Sequence, residues 1–142
     1  MSQEQLYASV NDFVLAIGLL VRRLRTEGGA QQVSGTQAAV MSRLATDGAS
    51  TISDLARAES LKPQTMGTTI AALEEMGVVE RRPHPTDKRQ FYIALTDEGA
   101  DLRDRIRAAK RAWLAEAIAG LDEQEQQALF TAGVIIKRLV ES

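Results

Sequence analysis

The chain contains no cysteine. Disulfides, thiolate nucleophiles, thiol redox sensing and cysteine-ligated metals are therefore excluded together. There is one histidine, His84, which removes a histidine-built metal site, although carboxylates alone could still hold a hard cation. There is no excess of positive charge. The formal net charge is -2, which argues against coating nucleic acid by bulk charge and leaves room for a local basic surface. The first residues, MSQEQLYASVNDF, lack the basic start and apolar run of a signal peptide. No unbroken apolar run of about 18 residues exists, so no membrane partner is expected and the cytoplasm is the expected location.

What is present fits an ordinary globular protein. The chain has 142 residues, 44% hydrophobic and 25% charged. One domain or one compact unit of this length can bury about two-thirds of its unfolded surface. Residues 4 to 26 carry Leu6, Val10, Phe13, Val14, Ile17, Leu20, Val21 and Leu24 at spacings of three and four. That spacing predicts one long helix with a single apolar stripe, stopped by Glu27 to Ala30. Nothing adjacent in sequence covers the stripe, so another long helix must. A second helix is expected over Thr36 to Thr46, with Val40, Met41 and Leu44 inward and Asp47-Gly48 ending it. Thr51 and Asp54 have the spacing of a capping box ahead of Leu55 and Ala56. A further helix starts at Pro63, where a missing N–H costs nothing, and stops at Gly77. Met66, Ile70 and Leu73 form its buried row; Gln64, Thr65, Thr68 and Ala72 lie opposite.

The period then changes. VVERR and FYIAL are strand-length runs of β-branched and aromatic residues. Between them lies PHPTDKRQ, whose two prolines and Asp are loop chemistry. The pair reads as a hairpin whose approaches and tip are basic, with Arg81, Arg82, Lys88 and Arg89. Thr96, followed by Asp97 and Glu98, caps a helix reaching about Ala119 through Leu102, Ile106, Ala109 and Trp113. Gly120 interrupts, and Asp122 with Glu125 opens a last helix carrying Leu129, Phe130, Ile136, Leu139 and Val140. Arg103, Arg107 and Arg111 share one helix face and read as a solvated row paired with acids such as Asp104.

Helix, helix, short turn, helix, two-stranded hairpin is the order of a winged helix-turn-helix. In that arrangement a helix lies in the major groove while the wing reaches phosphates or the minor groove. The fold class expected is mainly α with a small β-hairpin wing, flanked by long terminal helices. The segment Ile52 to Gly99 resembles the multiple antibiotic resistance regulator (MarR) family. The matching residues are Leu55-Ala56, Leu73-Glu74, Gly77-Val78-Val79-Glu80-Arg81, Asp87-Lys88-Arg89, Leu95-Thr96 and Glu98-Gly99.

The resemblance implies a homodimeric repressor on a pseudo-palindromic operator in double-stranded DNA. It also implies a small, often aromatic or phenolic, effector that releases the DNA, and no cofactor. Residues 35–96 would form the DNA-binding domain, and residues 1–34 with 97–142 the dimerisation region. Lys62, Gln64, Thr65 and Thr68 would serve the recognition helix. Arg82, Lys88 and Arg89 would serve the wing, with Arg89 in the minor groove and Asp87 bracing it through a basic partner. The chain departs from the family's pattern at Thr68, where a basic residue is common, at Gly67, where Ser or Thr is common, and at His84, where Asp is common. Affinity is then expected to lean on the wing and on backbone contacts, and His84 itself reads as a loop residue.

Two other readings are weighed. The neutral face around Gly67, Ala71 and Ala72 would also suit a winged-helix protein-interaction module without sequence-specific DNA binding. An enzyme is not expected: no nucleophile–base–orienter set, glycine-rich phosphate loop or metal-ligand spacing is found.

Overall fold

The computed structural model describes residues 1–29 and 32–142. Its elements run α1 (Gln3–Glu27), α2 (Gly35–Asp47), β1 (Ser50–Thr51), α3 (Ile52–Ala58), α4 (Pro63–Glu75), β2 (Val79–Pro83), β3 (Phe91–Leu95), α5 (Asp97–Ala119) and α6 (Glu123–Glu141). Most helix starts have a chemical cause. Ser2, Ser34 and Asp122 open α1, α2 and α6 with reciprocal capping boxes to Gln5, Gln37 and Glu125. Thr51 and Thr96 accept the backbone N–H of Asp54 and Gly99 at 3.1 and 3.0 Å. Thr51 supplies the forward half of the expected box only; the backbone of α3 is capped without a recorded return bond from Asp54. Lys62 makes no side-chain cap, and Pro63 stands at the first position of α4 instead. Of the expected stop after α1, Gly28 is the cap and Ala30 lies outside the described residues.

The core sits in the winged half. Val40, Met41 and Leu44 of α2 meet Leu55 and Ala56 of α3 and Met66, Ile70 and Leu73 of α4. Val79 and Ile93 close it from the hairpin and Leu102 from α5. The helical spacing read from the sequence selects these residues because only one face of each helix is apolar. At the end of α4 the Val78 N–H donates to the Leu73 carbonyl at 3.1 Å and the Gly77 N–H to that of Glu74 at 2.9 Å. This closing pattern needs a left-handed residue, and Gly77 has φ 79°. β2 and β3 pair antiparallel from Val79↔Leu95 to Pro83↔Phe91. A third strand, absent from the sequence reading, is β1: Ser50↔Ile93 and Thr51↔Tyr92 make the sheet order β1-β3-β2.

α5 is fastened to this half at its first turn. The Thr96 hydroxyl donates to the Gly77 carbonyl at 2.7 Å, and the Thr96 N–H donates to that of Val78 at 3.0 Å. A methyl group at Gly99 would collide with the Val78 carbonyl. The Leu-Thr…Glu-Gly motif therefore has a steric reason: only glycine lets the helix come this close.

α1 lies along α5, but that contact does not cover its stripe. No residue of α1 is buried, and Val10, Phe13, Val14 and Leu20 are all exposed. Phe130, Val134, Leu139 and Val140 of α6 are exposed as well. The long helix expected to cover the stripe is not supplied within the described residues, so the stripes of α1 and α6 stay uncovered. An 18-residue window of α1 has mean hydropathy 1.2, which makes α1 long and apolar enough to cross a bilayer by length and composition. Asn11 and Asp12 interrupt that helix, so no unbroken apolar run occurs in it. The expected pairing of Arg103, Arg107 and Arg111 with Asp104 is also absent among the described residues. The Nε of Arg103 is buried without a partner, and the ion pairs formed involve other residues.

Candidate nucleic-acid interface

α3, a short turn and α4 form the helix-turn-helix, with Leu61 donating its N–H to the Ala56 carbonyl at 2.8 Å to tighten the turn. Arg43 of α2 reaches Glu59 at the end of α3 at 2.9 Å. That hydrogen bond raises the Arg43 pKa above its already high ordinary value, so this brace stays ionic at any physiological pH. With Met66, Ile70 and Leu73 facing the core, α4 turns Lys62, Gln64, Thr65 and Thr68 to solvent, all exposed. Ala72, expected beside them, is half-buried. The hydroxyl of Thr68 donates to the Gln64 carbonyl at 3.2 Å and that of Thr69 to Thr65 at 3.2 Å. Those hydroxyl protons are spent on the helix itself. The surface offered by α4 is thus one amide, the Thr65 hydroxyl, small apolar groups and a cation at its start.

The wing carries the charge, and most of that charge is placed by acids. Arg81 donates to Glu74 at 2.8 Å and lies over the Phe91 ring at 5.9 Å, tying β2 to the end of α4. Arg82 donates through Nε and Nη2 to Glu80 at 3.0 and 2.8 Å. These two residues lie two apart on one strand and so share a face, a period-two signal that the sequence reading missed. Asp87 Oδ1 accepts from the Arg89 backbone N–H at 3.0 Å and from Arg89 Nε at 3.2 Å; Oδ2 accepts from Gln90 at 3.1 Å. These bonds, the Arg89 backbone N–H foremost, hold the Asp87 carboxyl below its ordinary pKa. Arg89 is nonetheless 91% exposed while Asp87 is 28% exposed. The carboxylate steers the guanidinium without covering it. Lys88 is exposed beside it.

The geometry leaves two surfaces pointing outward: a nearly uncharged row on α4 and a braced arginine on the wing. Carboxylates lie at caps and in ion pairs, and no cluster of metal-ligating side chains occurs among the described residues.

The sequence model of the MarR family matches residues 33–91. An uncharacterised HTH-type transcriptional regulator of Mycobacterium bovis, Mb0904, is 37% identical over 131 residues, 92% of each chain. A solved structure from Pseudomonas aeruginosa PA01, described as a transcriptional regulator protein, superposes with TM-score 0.85 at 29% identity, covering 100% of this chain and 99% of that one. A mutant of MepR from S. aureus, solved bound to an oligodeoxyribonucleotide, shares the fold at TM-score 0.72 and 16% identity, covering 94% and 97%. The winged core, the wing's Asp87–Arg89 pair, the Thr96–Gly99 junction and these relatives lead to one statement: the chain belongs to the MarR family of winged helix-turn-helix transcriptional regulators.

Proposed function

We propose that this protein is a homodimeric repressor that reads a pseudo-palindromic operator and is released from it by a small aromatic or phenolic effector. The observation that carries the reading is the pairing of an exposed, nearly uncharged row of Gln64, Thr65 and Thr68 on α4 with an exposed, carboxylate-steered Arg89 on the wing. In the reading, Gln64 pairs with an adenine and Thr65 and Thr68 pack on thymine methyls. Arg89 enters the minor groove, where the negative potential favours arginine. Lys62 and Lys88 meet phosphates, while Arg82 acts mainly through the strand, since Glu80 already neutralises it.

The uncovered stripes of α1 and α6 support the dimer. Contiguous apolar surface on a folded chain marks a contact surface, and the reading assigns both stripes to a dimerisation region of residues 1–34 and 97–142. A dimer would set two α4 helices about 34 Å apart, one turn of duplex. Release follows from coupling: an effector binding only a dimer with the wrong helix spacing weakens DNA affinity. Its site in this reading lies between the winged domain and the helical dimerisation region.

The test is capture of genomic fragments by the protein and by Arg89→Ala at two salt concentrations. Binding through phosphates and the wing predicts enrichment of discrete fragments that falls steeply with salt and weakens with the substitution. The neutral middle of α4, Gly67 and Ala71, favours one other reading, a protein-interaction module. Capture indifferent to salt and to Arg89, with loss only on substituting Ala71, would select that module and reject the repressor.

A further inference from the structure

The wing's shape depends on a residue the DNA-binding reading leaves unused. His84 lies between Pro83 and Pro85 at the exit of β2. Each proline ring fixes its own φ, and Pro85 also restricts His84. Pro85 has no N–H, so the first donors after His84 are Thr86 and Asp87. Both turn back onto it: the Asp87 N–H donates to His84 Nδ1 at 3.0 Å and the Thr86 N–H at 3.3 Å, with the Thr86 hydroxyl at 3.4 Å. The ring is held in the plane this needs by stacking on Tyr92 of β3, 4.9 Å between centroids at 27°. An acceptor at Nδ1 assigns the proton of the neutral ring to Nε2. Asp87, whose backbone the ring holds, is the residue that steers Arg89 through its side chain.

We propose that His84 is the positioning residue of the wing: its unprotonated Nδ1 gathers the Thr86 and Asp87 amides and so sets where Asp87 holds Arg89. The relay runs Tyr92, His84, Asp87, Arg89, from sheet to outermost charge. His84 here does the work that Asn or Asp does in an Asx turn. Its DNA consequence rests on the operator-binding reading above, whereas its geometry does not.

Two properties separate this from a merely structural loop residue. Asn places its Oδ1 where His places Nδ1, whereas Gln places its carbonyl one bond farther, nearer Nε2. His84→Asn should therefore keep DNA affinity within about threefold, while His84→Ala, His84→Gln and His84→Phe, which keeps the stack, each lose about tenfold. Because the effect passes through Arg89, His84→Ala should cost nothing further in an Arg89→Ala background. Affinity is read by fluorescence anisotropy on duplexes selected by the wild-type protein, and melting temperature is read alongside. Unchanged affinity in His84→Ala, equal rescue by Gln, or an additive loss with Arg89→Ala would each overturn the proposal. If the wild-type protein selects no duplex, the DNA reading fails and the wing geometry is read by nitrogen-15 spectra. A proton-free Nδ1, with the Asp87 amide shifted by His84→Ala but not by His84→Asn, upholds the role. A proton on Nδ1 of the neutral ring ends it.

Discussion

Gly67 sits inside α4 with no neighbour within 4 Å of where a Cβ would stand. Its φ is not in the left-handed region, so neither packing nor backbone geometry requires glycine. A mid-helix glycine costs about 0.5–1 kcal/mol relative to alanine. In the operator-binding reading, close approach of the helix to DNA offsets that cost. Gly67→Ala should raise the melting temperature while lowering operator affinity about tenfold, two opposite signs read by calorimetry and anisotropy. Asp87 gives a second residue-scale prediction. Its carboxyl titrates below the ordinary value of 3.8, and a depressed folded pKa means a contribution present above that value and lost as pH falls through the lower folded one. The brace should therefore be constant from pH 5 to 8 and fail only in stronger acid, as the Asp87 carboxyl carbon shift would record. Because the Arg89 backbone N–H is the largest cause, Arg89→Ala should leave most of the depression in place. Of these features, the sequence carried the Asp87–Arg89 pair through family resemblance alone. The hold of His84 on the turn was not legible, since it depends on two backbone amides folding back onto one ring nitrogen.

At the level of elements, the helices were legible because caps and apolar spacing act locally. Thr51, Pro63, Thr96 and Asp122 at the starts and Gly77 at an end fix boundaries within a residue or two of those observed, whereas the serine caps of α1 and α2 went unread. β1 was not legible. Ser50-Thr51 has no periodicity of its own, and its pairing with Ile93 and Tyr92 is set by a partner some forty residues away. The stripe of α1 was legible from its spacing, but what covers it was not, because a stripe announces that something must cover it and not which chain supplies the cover. The junction at Gly99 is the element-scale feature most exposed to test. Gly99→Ala should destabilise the fold by about 1–3 kcal/mol, as overpacking against a fixed carbonyl does. Chemical denaturation measures that directly, and operator affinity should fall with it as α5 shifts against α4. On α6, Val134 and Leu139 are 67% and 66% exposed in the single chain. Val134→Glu with Leu139→Glu should leave helicity intact and yield monomers by light scattering. Retained dimers would remove α6 from the interface.

For the whole molecule, the charge arrangement is the organising fact. A chain of net charge -2 pairs Arg81, Arg82 and Arg89 of its wing with Glu74, Glu80 and Asp87, and leaves Arg89 almost fully exposed. Such a molecule gains little from bulk attraction to DNA. In the operator-binding reading proposed above, its affinity comes from two correctly spaced half-sites, each read by α4 and clasped by a wing. An effector that alters the spacing then has leverage over binding, because both half-sites must be met at once. The measurement that tests this most directly is selection of bound duplexes from a random pool by the wild-type protein and by Arg89→Ala, at two salt concentrations. The account predicts an inverted repeat with half-sites about one helical turn apart, its recovery reduced by the substitution and by salt. A single unrepeated half-site, or no enriched sequence at either salt concentration, would contradict it.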